Sequence, residues 1–204
     1  MNQRIVTTRR IGAAVAVALL ATAGGARAAQ KHIDINMTVS KGAAVCLPHA
    51  KADVKVVSSG TAEDMYIYAT GLPKNTDFDF FVIQVPTAPF GLSWYQGDVE
   101  SDDEGNAFQH FRGRFNIETF VVAPGEAPAP DVFRDAPFPD ATFNPTTSPV
   151  QMYHLGMWFN SPADAKKAGC AATETPFNGE HNAGIQVLNT ATYPELQGPL
   201  SKLR

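Results

Sequence analysis

Cysteine is nearly absent: Cys46 and Cys170 are the only two in 204 residues, and no Cys-x-x-Cys pair occurs. That removes the zinc ribbons and fingers, which need four closely spaced ligands, and a Cys46-Leu47-Pro48-His49 half-pair does not replace them. Blue copper is excluded as well, because its Cys, His and Met share one late loop and no Met follows Cys170. Beyond residue 28 the longest basic run is Lys166-Lys167. A phosphate backbone is bound by clustered Lys and Arg that release its counterions, so nucleic acid is not an expected partner. No Gly-x-Ser-x-Gly elbow is present, since Gly91-Leu92-Ser93-Trp94-Tyr95 lacks the final glycine, and glycine-rich phosphate loops are missing too. No cofactor is expected.

What is present starts at the N-terminus. Arg4, Arg9 and Arg10 precede an apolar run, Ile11 to Ala23, and Ala26-Arg27-Ala28 follows as a small-residue cleavage signature. The run is too short to remain as an anchor, which takes about 20 apolar residues, so residues 1–28 read as a signal peptide, with no transmembrane anchor after its cleavage. The expected location is periplasmic or secreted, and Thr8-Arg9-Arg10-Ile11 leaves twin-arginine and ordinary export both open. Cleavage removes four of the sixteen basic residues and none of the twenty acidic ones, so the remaining formal charge is −8. Residues 29–204 suit a single domain. In an oxidising compartment an even cysteine count favours a Cys46–Cys170 disulfide.

Alternation dominates residues 29–204. Ile33, Ile35, Met37 and Val39 share one strand face while Asp34, Asn36 and Thr38 share the other. Further strands are expected at Asp53–Ser58, Met65–Thr70, Phe78–Val85, Leu92–Val99, Ala107–Arg112, Phe115–Val122, Val150–Asn160 and Gly184–Asn189, about nine in all. Turn residues separate them at Ser59-Gly60, Gly71-Leu72-Pro73, Pro86 to Pro89, Asp103-Glu104-Gly105 and Asn178-Gly179. One short helix is expected after Ser161, with Pro162 at its first position, Asp164 in its first turn and Gly169 ending it. The 124–149 stretch holds seven prolines, which cannot donate to a sheet ladder, and reads as a Pro-rich loop or insertion.

The segment Met65 to Val85, with Gly71-Leu72-Pro73 and Thr76 between two strands, resembles the crossing between the two sheets of fibronectin type III and immunoglobulin-like domains. That resemblance implies an all-β fold, an antiparallel immunoglobulin-like β-sandwich, with Leu72 plugging the core at the crossing. Through Pro89 to Asp98, Trp158 to Ala165 and Phe177 to Gly184, the chain also resembles a group of secreted bacterial proteins of uncharacterised function, and no activity comes with that likeness.

Candidate chemistry is sparse. Trp94 and Tyr95, next to Gln96 and Asp98, suit stacking on sugar rings, although neighbours on a regular strand face opposite ways. Glu180, His181 and Asn182 form a polar loop shortly after Cys170, and with Trp94 and Tyr95 they make the candidate binding surface. Asp98, Glu100, Asp102 and Glu104 alternate ahead of Gly105 as calcium ligands do, but the twelfth loop position is Phe111, and a hairpin turn is the stronger reading. His110 and His154 lie inside strands, where a histidine is usually exposed or hydrogen-bonded in the core. No catalytic residue is assigned. The expectation is an exported, non-catalytic binding or structural interaction protein of the bacterial envelope or exterior, its partner a protein or carbohydrate. The alternatives are a secreted carbohydrate-active hydrolase or a calcium-binding β-sandwich.

Overall fold

The computed structural model describes residues 32–116, 120–122, 149–176, 181–195 and 197–203. The expected signal peptide at 1–28 and residues 124–148 of the Pro-rich loop lie outside them. Ten strands are present: β1 (His32–Val39), β2 (Lys51–Ser58), β3 (Glu63–Thr70), β4 (Asp77–Ile83), β5 (Ser93–Glu100), β6 (Ala107–Gly113), β7 (Phe120–Val122), β8 (Pro149–Gln151), β9 (His154–Phe159) and β10 (Gln186–Asn189). Val150 to Asn160 is not one strand, because Met152 and Tyr153 interrupt it, and among the described residues of Phe115 to Val122 only β7 is a strand. β7 and β8 pair as a separate ribbon.

The expected sandwich is not formed. Eight strands make one antiparallel sheet in the order β5-β4-β9-β10-β1-β2-β3-β6, and it curls into a nearly closed barrel. A sandwich would break this order into two sheets. β10 prevents the break by pairing with β9 on one side and with β1 on the other, through Thr38 opposite Asn189 and Val39 opposite Leu188. The join is short and Ser40 extends it: its N–H donates to the Val187 carbonyl at 2.8 Å and its hydroxyl to the Gln186 carbonyl.

The two edges, β5 and β6, meet at the other side. Ser101 bridges to Ala107 at the root of their hairpin, and the Gln109 side chain donates to the Asp98 carbonyl at 2.7 Å further along. Phe111 fills the gap against Phe80, with ring centroids 5.8 Å apart. Gly97 makes room for it, since a Cβ there would come within 2.7 Å of the Phe111 ring.

The Gly71 to Thr76 connection crosses one end of the barrel and bonds to the β5–β6 turn. Leu72 N–H donates to the Gly105 carbonyl, Asn75 N–H to the Asp102 carbonyl, and Ser101 Oγ accepts from Thr76 N–H while donating to the Pro73 carbonyl. Leu72 is buried as expected, but it plugs the end of a barrel, so the fibronectin-like and immunoglobulin-like resemblance is corrected to a local turn likeness. Gly105 has φ of 82° and lies against the Leu72 carbonyl, a place no side chain fits.

Inside the barrel, alternate residues such as Ile35, Met37, Val54, Met65, Ile67, Phe78, Phe80, Met157 and Phe159 form one core. β4 and β9 are buried on both faces, because a strap, described at 170–176 and 181–185, lies over their outer side, and Phe81, Ile83, Trp158 and Ala183 form a second cluster there. The helix α1 (Pro162–Lys167) starts the strap as expected, with the Ser161 hydroxyl accepting from Asp164 N–H and Gly169 following at φ 78°. It delivers Cys170 to Cys46, and the two are bonded across 124 residues of sequence. Among the described residues no helix is long and apolar enough to cross a membrane.

Closing so long a loop lowers the entropy of the unfolded chain, and the simple model gives about 4 to 5 kcal/mol. The double variant Cys46→Ser, Cys170→Ser is therefore expected to lose several kcal/mol in urea unfolding; a loss below about 1 kcal/mol would show that the strap holds without its bond.

Candidate functional site

The β1–β10 join bends the sheet, and a cleft of about 630 Å³ opens on its outer side. Three segments wall it: Thr38–Gly42, Thr87–Phe90 and the strap from Thr173 to Pro176, with Ile185, Gln186 and Asn189 beneath. Its surface is mostly apolar, and its floor amides are already paired. Gln186 donates to the Pro86 carbonyl at 3.1 Å and accepts from Asn189, whose own oxygen accepts from Ala191 N–H. The disulfide joins the connection that continues from Gly42 to the start of the strap, so two walls are cross-linked.

Beside the cleft, on the outer face of β4, sits Asp79. It is fully buried, and neither carboxylate oxygen has a hydrogen-bond partner among the described residues. The His181 imidazole on the strap lies beside it, with Nε2 3.9 Å from Oδ2. Opposite Asp79 are Asp98 on β5 and Trp158 on β9, and the Trp158 indole N–H is likewise unpartnered. Burial pushes the Asp79 carboxyl up to about 6; His181 pulls it down, while Asp98 and Asp77 push it further up. The signal for Asp79 in the sequence is a lone acid within Phe78-Asp79-Phe80-Phe81-Val82-Ile83, a run apolar on both faces.

The residues named from sequence are partly assembled. A bulge at Gln96, where Gly97 and Tyr95 oppose consecutive Phe80 and Phe81, puts Tyr95 on the face of Asp98, and ordinary alternation turns Trp94 to the other face. Trp94 is 45% exposed, whereas Tyr95 packs on Phe81 at 5.5 Å and bonds Asp98 through its hydroxyl. Tyr95 and His181 thus share the Asp79 face, and Trp94 does not. Asn182 donates to Glu174 at 3.0 Å, on the cleft wall. Glu180 lies outside the described residues.

The four alternating acids do not converge. Asp98 and Glu100 project from β5, while Asp102 Oδ1 accepts the N–H groups of Glu104 and Asn106, bonds that hold its carboxyl below the usual range. Glu104 reaches only Asn106. Among the described residues no group of three or more His, Cys, Asp or Glu is placed to hold a metal ion.

Both strand histidines have structural roles. His154 is buried between Thr190 Oγ1 and the Glu195 carbonyl, each at 2.9 Å; the carbonyl can only accept, so Nε2 carries the proton, and burial holds the imidazole below its ordinary pKa. His110 stacks on Tyr66 and bonds Asp64.

No protein-family model matches the chain and no curated protein matches its sequence, so the resemblance to a group of secreted bacterial proteins is not sustained.

The Asp79 geometry predicts a stability profile. A carboxyl whose folded pKa lies near 6, above its unfolded 3.8, favours the protonated fold, so stability falls as pH rises through that window and the full penalty holds above it. Asp79→Asn removes the penalty. The variant is expected to match wild type below about pH 4 and to exceed it by about 3 kcal/mol at pH 7.5 in urea unfolding. Equal or lower stability at pH 7.5 would show that the carboxylate has a partner in solution.

Proposed function

We propose that the chain is an exported, non-catalytic binding protein whose ligand site is the cleft at the β1–β10 join. The observation that carries this reading is the cleft itself: about 630 Å³ with a mostly apolar surface, and two of its walls cross-linked by Cys46–Cys170. A volume of this size takes a small molecule or a few side chains of a partner. The floor amides are occupied by one another, the Pro86 carbonyl and Ala191 N–H, so an apolar ligand lying on them leaves those donors and acceptors paired. The covalent brace supports affinity by removing part of the ordering cost that a loose loop would add. Export follows from the signal peptide read in residues 1–28 and suits a disulfide that reducing compartments would not keep.

The test is titration of the mature protein with Nile red, an uncharged apolar dye. Saturable one-to-one binding is expected, weakened by about tenfold or more in Thr173→Trp, which fills the cleft, and weakened also by the Cys46→Ser, Cys170→Ser pair. Dye binding that is non-saturable, or unchanged in Thr173→Trp, would contradict the cleft as the site.

A further inference from the structure

The pairing of β4 with β5 contains an electrostatic conflict that neither the barrel nor the cleft requires. Asp77 stands opposite Glu100 and Asp79 opposite Asp98, all four on the outer face. Opposed like charges on neighbouring strands destabilise a sheet, with Cβ atoms only about 5 Å apart. One of the four, Asp79, is also fully buried with both oxygens unpartnered, in the place where an unmet polar group costs most.

Asp79 and Asp98 stand opposite one another on neighbouring strands, and two carboxylates so placed suit the rigid fork of a guanidinium better than the point charge of an ammonium. The Tyr95 ring flanks Asp98, and its hydroxyl holds that carboxylate in place. Trp158 stands beside Asp79 on the same face. A metal ion is a poor occupant, because no three ligating side chains converge among the described residues. His181 stands over the buried Asp79 with Nε2 3.9 Å from Oδ2, too long for a hydrogen bond, and a ligand reaches the carboxylate by displacing that ring.

We propose that the outer face of β4 and β5 is a guanidinium-binding site, with Asp79 and Asp98 gripping the planar group and His181 giving way to it. The site is separate from the cleft reading and does not depend on it. Binding requires ionised Asp79. Among the described residues the titratable groups that face it are His181 from the strap, Asp98 from β5 and Asp77 on its own strand, and β9 contributes only the neutral Trp158. With the Asp79 carboxyl at about 6, affinity is expected to rise about tenfold between pH 5 and pH 7.5.

The experiment titrates the mature, disulfide-bonded protein with N-acetylarginine methylamide at constant ionic strength, reading the His181 ring and Trp158 indole N–H resonances by NMR, the indole alone in His181→Gln. The expected result is a saturable shift of His181, about tenfold tighter at pH 7.5 than at pH 5, lost in Asp79→Asn and tighter in His181→Gln, where nothing has to be displaced. Tighter binding of the tripeptide Gly-Arg-Gly would assign the guanidinium to a polypeptide, and equal binding would assign it to a free small molecule; both support the site. A shift no larger than added sodium chloride gives would overturn the proposal. So would an unchanged response in Asp79→Asn, or an equal response to N-acetyllysine methylamide or calcium.

Discussion

Everything in this fold depends on keeping one sheet continuous around a bend at the β1–β10 join. The join has two residue pairs, Thr38 with Asn189 and Val39 with Leu188, and Ser40 lengthens it with one backbone and one hydroxyl bond. Because β10 also pairs with β9, these few bonds connect the β5-β4-β9 group to the β1-β2-β3-β6 group. The interior is then shared, and large side chains such as Phe80 and Met157 lie in one core with Val54 and Met65. Burial on that scale drives folding, and the short backbone join selects which closed arrangement the buried faces adopt.

The bend has a second consequence on the outside. Beside the join, the cleft opens between the strap, the 38–42 segment and the 87–90 loop. The same strap seals Phe81, Ile83 and Trp158 from water and covers Asp79 with them. One segment, fixed at its start by Cys170 and bridged from Thr175 to Ala183, therefore shapes both candidate binding places. A disulfide suits this task because it adds a constraint without needing buried area of its own.

Local features were legible in the sequence. Alternation located most strands to within a few residues, Ser161-Pro162 with Gly169 located α1, and cysteine parity in a chain read as exported pointed to the Cys46–Cys170 bond. The opposite facing of Trp94 and Tyr95 also followed from strand periodicity, whereas the bulge that puts Tyr95 on the face of Asp98 is announced by no pattern. The closure of the sheet was not legible. Alternation states which face of a strand is buried and is silent on its neighbour, and β1 finds β10 roughly 150 residues away in sequence. A Gly-Leu turn that crosses between sheets in a sandwich crosses the end of a barrel equally well, so the Met65 to Val85 likeness could not separate the two. Asp79 was missed because its significance comes from the strap and from Asp98, both distant in sequence.

The central claim is that the eight strands form a single sheet closed at the β5–β6 seam. Cross-strand nuclear Overhauser contacts in the mature protein test it most directly. The account requires a continuous chain of contacts through β5-β4-β9-β10-β1-β2-β3-β6, including Val39 to Leu188, together with ring contacts between Phe80 and Phe111. Absence of contacts between β1 and β10, with both strands otherwise paired, would contradict it and return the molecule to two sheets.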